Sequence, residues 1–142
     1  MAKVSIAKSG WNQNYFESLS AAKTLYASDS GKVYLLTAPS AIYTITLPTA
    51  SAAKAGCTFK FLVNCALDAT LGYDITFSDG VDDVMVTHYL DGDDEVVYDA
   101  DADSIAFDST AVTGDQLEFL STGTYWFAKG ITGVNGGFVV TD

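Results

Sequence analysis

The chain has 142 residues and a mass of 15.0 kDa, the size of one domain, and is 49% hydrophobic and 18% charged with a mean hydropathy of +0.20. Disordered chains are poor in apolar residues and rich in charge, so disorder is excluded, and no apolar run approaches the roughly 18 residues of a membrane span. Net charge is −11 and every base is lysine, so the chain lacks the arginine base readers of nucleic-acid binding and carries a sign of charge that phosphates repel.

Charge is unevenly distributed. Residues 1–60 hold six lysines and two acids, Glu17 and Asp29, whereas residues 61–128 hold fifteen acids and no base. The first ten residues contain no apolar stretch long enough for a signal peptide, so an unexported chain is expected. Residues 1–27 are predicted to form an N-terminal arm, partly helical or extended, displaying Trp11, Tyr15 and Phe16. Within it, Glu17–Ala27 places Leu19, Ala22 and Tyr26 at helical spacing. These aromatics serve either as a partner contact or as a plug closing one end of the fold.

From residue 28 to 142 short β-forming runs alternate with turn clusters every 8–12 positions, the pattern of a sandwich or barrel. The predicted strands are Lys32–Leu36, Tyr43–Leu47, Thr58–Asn64, Asp74–Phe77, Val84–Tyr89, Glu95–Tyr98, Ser104–Phe107, Gln116–Ser121, Tyr125–Lys129 and Gly137–Thr141. Alanine-rich Thr49–Lys54, between Pro48 and Gly56, predicts a single helical turn. The expected fold is all-β: a single-domain antiparallel β-sandwich, jelly-roll-like, with the arm preceding it.

Catalytic signals are weak. His88 is the single histidine, on a predicted strand, and no Gly-x-Ser-x-Gly elbow accompanies it. Cys57 and Cys65 fall on one side of a strand; eight extended residues span about 26 Å, far beyond disulfide reach. Ser30-Gly31-Lys32 ends like a phosphate loop, but Val33 follows the lysine and Tyr26 replaces the leading glycine. Asn135-Gly136 reads as a hairpin turn. Asp99, Asp101 and Asp103 match the first positions of a calcium loop, yet Ser104 and Thr110 stand where glycine and glutamate belong. A looser calcium site around Asp91, Asp93, Asp94 or Glu95 and a solvated acidic face both stay open. No cofactor and no enzymatic activity are expected.

The run from Thr113 to Gly130, with Gly114-Asp115, a strand, Ser121-Thr122-Gly123 and then Trp126, resembles a hairpin common in structural proteins of tailed bacteriophages. Ser28–Leu36 resembles the opening strand of such modules, and Ile45–Pro48 with Gly56 and its following strand resembles the next two, so residues 28–130 are covered. Gly114, Asp115, Gly123 and Trp126 are the fold-defining positions of that hairpin. The resemblance implies a virion surface β-module, closest to a capsid decoration (cement) protein. Such a protein is non-enzymatic, trimeric, and seated on the major capsid protein at the capsid exterior after synthesis in the host cytoplasm. The alternative within the same resemblance is a tail fibre, spike or baseplate module contacting host glycan. The absence of a shaft of repeats favours decoration.

Overall fold

The computed structural model describes residues 16–39, 41–67, 75–80, 85–93 and 95–142, with backbone alone for 75–78. In chain order the strands are β1 (Phe16–Leu19), β2 (Lys23–Thr24), β3 (Val33–Leu36), β4 (Tyr43–Thr46), β5 (Thr58–Val63) and β6 (Ile75–Ser78). They continue as β7 (Met85–Leu90), β8 (Val96–Ala102), β9 (Ser104–Phe107), β10 (Gln116–Ser121), β11 (Trp126–Ile131) and β12 (Phe138–Thr141). One helical turn, α1 (Ala50–Ala53), lies where the alanine run predicts it, with the Thr49 hydroxyl accepting from the Ala52 amide.

The fold is an all-β sandwich. A seven-stranded sheet, ordered β1-β3-β5-β10-β11-β7-β8, faces a five-stranded sheet, ordered β12-β9-β6-β4-β2. Strict alternation builds the interior. Phe59, Phe61 and Val63 on β5, Leu117 and Phe119 on β10, and Met85 and Tyr89 on β7 point inward. They meet Ile45, Ile105, Phe107 and Phe138 from the smaller sheet in one buried cluster. Tyr89 and Phe138 touch across the two sheets with ring centroids 5.0 Å apart.

The expected antiparallel pairing is corrected to a mixed one. Odd-numbered β1, β3 and β5 lie parallel in the large sheet, and even-numbered β2, β4 and β6 lie parallel in the small one. The chain therefore winds around the core, alternating sheets, so that each crossover is a strand of the opposite sheet instead of a helix. Antiparallel pairing takes over later, in β5/β10, β10/β11, β7/β8, β6/β9 and β9/β12, although β11 and β7 run parallel. This mixture is not a jelly roll.

Residues 16–27 are also corrected, from arm to sandwich. β1 is the edge of the large sheet and β2 the edge of the small one, with Leu19 and Leu25 buried in the core. The helical spacing of Leu19, Ala22 and Tyr26 loses to pairing of β1 with β3, because edge pairing satisfies the backbone while Leu19 still reaches the interior. Trp11 and Tyr15 lie outside the described residues, as do Asp74, Val84 and Asp94. The turn at Asn135-Gly136 is present, but it carries the chain from β11 in one sheet to β12 in the other and closes no hairpin.

Candidate functional site

The hairpin residues come first. β10 and β11 pair antiparallel from Gln116–Ile131 to Ser121–Trp126, at the centre of the large sheet. Gly114 enters the hairpin at φ 106° and donates to the Val63 carbonyl at 2.9 Å. Gly123 reverses it at φ 90°, a backbone region that disfavours any side chain. Asp115 is buried, and its carboxylate accepts from the Val112 amide, the Thr132 hydroxyl and the Gly133 amide, each at 2.9 Å. Trp126 is fully buried beside Phe59 and Phe119 and donates its indole N–H to the Pro48 carbonyl.

What the hairpin presents outward is different. Register across the large sheet aligns Val33, Lys60, Glu118, Lys129, His88 and Tyr98 in one row on the face away from the core. One flanking row runs Leu35, Leu62, Gln116, Ile131, Leu90 and Val96, and the other runs Thr58, Leu120, Phe127 and Val86. Leu120, Phe127, Ile131, Val96 and Tyr98 are between 43% and 66% exposed. Apolar side chains exposed together on one face mark a candidate contact surface. Charges of alternating sign, Lys60, Glu118 and Lys129, run through its middle. Among the described residues they form no ion pair with one another, whereas Lys23 pairs with Glu17, and Lys32 with Glu17 and Asp29.

Two shallow depressions interrupt this face. One of about 210 Å³ is lined by Lys60, Leu90, Gln116, Glu118, Lys129, Gly130 and Ile131. The other, about 220 Å³, is lined by His88, Glu118, Leu120, Phe127, Ala128 and Lys129. Both fall below the roughly 300 Å³ at which pockets for drug-sized ligands begin. The face is apolar on its flanks with a charged strip at its centre. His88 stands on it, edge-on to Tyr98. Phe16 sits at the β1 end of the same central row, opposite Val33, and is 61% exposed.

The acidic positions separate into two groups. Asp91 and Asp93 secure the 134–136 loop: Asp91 accepts from the Gly136 amide at 3.2 Å, and Asp93 accepts from the Asn135 side-chain amide. Asp99 and Asp101 instead meet Asp142, whose carboxylate approaches theirs within 4.8 Å. Sequence reasoning missed Asp142 because only the docking of β12 beside β9, which continues from β8, brings it to that corner. Repulsion from Asp99, then partial desolvation and Asp101, raise the Asp142 carboxyl above its ordinary 3.8. Three oxygen donors of this kind suit a hard cation in principle.

Both cysteines are free. Cys57 is buried, and burial pushes the Cys65 thiol above its ordinary range, the reverse of nucleophile activation. No helix among the described residues is long and apolar enough to cross a membrane.

No family model, curated protein or solved structure matches this chain.

Proposed function

We propose that this chain is a non-enzymatic structural protein of a tailed-bacteriophage virion, one that decorates and stabilises the outer surface of the capsid. The supporting observation is that acids gather at one edge of the sandwich while the opposite edge is charge-balanced. β1 and β2 form one edge of both sheets, where Lys23 and Lys32 pair with Glu17 and Asp29, and β8 and β12, with Asp99, Asp101 and Asp142, form the opposite, acidic edge. A module of this shape can anchor through one end and turn a repulsive acidic end to solvent, which keeps particles apart. Residues 1–15, with Trp11 and Tyr15, lead into the anchoring end at Phe16. Tryptophan and tyrosine often carry a large share of interface energy, and they are the proposed contact with the major capsid protein.

The mechanism is mechanical. Many copies of one contact bridge neighbouring shell subunits. If only the expanded shell offers the contact, binding stabilises that state by mass action.

Co-sedimentation with bare phage heads and, in parallel, with host cells tests the reading. Saturable pelleting with heads, weakened when residues 1–15 are removed from a chain that still melts cooperatively, is the expected result. Pelleting with cells alone would transfer the protein to the tail-module reading. That second reading is favoured by one observation, the depression placing Phe127 beside His88 and Glu118, an aromatic and polar groups of the sort that hold a sugar ring.

A further inference from the structure

We infer that the outer face of the seven-stranded sheet is the interface between two copies of this chain, related by a two-fold axis that runs along the strands between β10 and β11. The inference stands apart from the capsid reading and needs neither phage nor host.

An isologous interface must be complementary to itself, so that residue i of one copy meets residue j of the other and the reverse. The rows on this face meet that condition. Rotation about an axis between β10 and β11 preserves each row and reverses the order of strands, so β10 faces β11 of the second copy and β5 faces β7. Glu118 then opposes Lys129 of the second copy, and the symmetry repeats the pair. Leu120 opposes Phe127, and Leu62 opposes Leu90, apolar against apolar. Lys60 falls opposite His88 and Gln116 opposite Ile131, pairings of polar side chains without an attraction to offer. Moving the axis onto β10 would set Glu118 against Glu118, and moving it onto β11 would set Lys129 against Lys129. The charges therefore choose among the possible axes.

Sheets stacked in this way lie about 10 Å apart with strands within about 30° of alignment, so side chains from the two faces interdigitate. The area lies near the lower bound of specific interfaces, about 1,200 Å² in total. Six strands overlap about this axis, β1 having no counterpart; about 4.8 Å apart and mostly about 20 Å long, they project roughly 600 Å² before side-chain relief is added. A stable interface buries about 800 Å² per partner.

Sedimentation equilibrium of the full chain at several concentrations reads the outcome directly. The expected species is a dimer. Lys129→Glu sets like charges against each other twice and weakens association about tenfold or more, as does Glu118→Lys. The double exchange, E118K with K129E, restores the opposed pair and recovers association while each single variant stays dissociated. Phe127→Lys, at an exposed position outside the core, dissociates the dimer without lowering the monomer's melting temperature. A monomeric or trimeric wild-type chain would overturn the inference, as would a dimer indifferent to these substitutions. A monomer that dimerises only after removal of residues 1–15 would also overturn it, and would give the face to that segment.

Discussion

The Trp126 indole donates to the Pro48 carbonyl oxygen at 3.0 Å, tying the centre of the large sheet to the loop that enters α1. The Ser121 hydroxyl makes a second tie to the same place, donating to the Ala50 carbonyl at 3.0 Å. Both donors belong to the β10/β11 hairpin, and both acceptors belong to a segment some 70 residues earlier. Trp126 thus fills the core and also orders a connection between strands of opposite sheets.

Trp126→Phe is expected to lose about 2–4 kcal/mol of stability, from lost packing beside Phe59 and Phe119 and from a Pro48 carbonyl left without its donor. Urea unfolding measures it as a lower midpoint at unchanged slope. A loss under about 0.5 kcal/mol, the usual range of surface substitutions, would show that the indole is not a structural centre.

Asp115 acts at the other end of the hairpin. Its two oxygens hold the Val112 and Gly133 amides and the Thr132 hydroxyl, joining the entry turn of β10 to the exit of β11. Asparagine supplies one acceptor and turns an N–H₂ toward an amide that needs a lone pair. Asp115→Asn should cost about 2–3 kcal/mol, and Thr132→Val about 1 kcal/mol. Amide exchange localises the effect: the Val112 and Gly133 amides should exchange faster in Asp115→Asn, while amides of β5 keep their protection relative to global stability.

These two residues were legible from sequence because a Gly-Asp turn and a tryptophan after a Ser-x-Gly reversal signal themselves locally. Ten strand positions and the α1 turn were legible for the same reason, since alternation and turn residues are short-range features. The winding of β1 to β6 was not. Its pairs join residues at ever greater separation, Phe16 with Val33, Lys23 with Ile45, Val33 with Lys60 and Tyr43 with Ile75. No fixed repeat length exists to be seen. β1 and β2 were missed because two to four residues at a sheet edge carry too little alternation to outweigh a helical spacing. The central row of the outer face was hidden for a further reason: Lys60, Glu118, Lys129 and His88 become neighbours through register alone.

Asp142 gives a prediction with a sign. Its carboxyl is raised, first by Asp99, so the folded state holds the proton more tightly than the unfolded chain. The stability linked to that proton is fully present below the unfolded value of 3.8 and is lost as pH rises through the folded value. At neutral pH the three carboxylates repel. Asp142→Asn should therefore raise the melting temperature slightly at pH 7 and in low salt, with the gain shrinking in high salt and vanishing below about pH 4. Thermal melts at pH 7 and pH 3.5 decide it, and a gain that persists at the lower pH would mean that repulsion is not its source.

The alkaline limb belongs to buried tyrosines. Tyr34 and Tyr43 are 0% and 7% exposed, and among the described residues neither hydroxyl has a hydrogen-bond partner. Burial pushes the Tyr43 phenol up to about 12 and the Tyr34 phenol higher still, both from an ordinary 10. An unfolded chain sheds these protons near pH 10 while the folded chain keeps them. Stability is thus whole below pH 10 and falls as pH climbs toward 12 for Tyr43, with Tyr34 extending the loss further. Tyr43→Phe and Tyr34→Phe each remove a titrating group and an orphaned hydroxyl. The buried, unpartnered Thr87 hydroxyl, replaced in Thr87→Val, provides a control that cannot titrate. All three variants should be at least as stable as wild type at pH 7, by up to about 1 kcal/mol. Only the two tyrosine variants should flatten the decline between pH 10 and 12, measured by urea unfolding across that range. A wild-type profile that stays level to pH 12 would show that these phenols reach solvent in the folded protein.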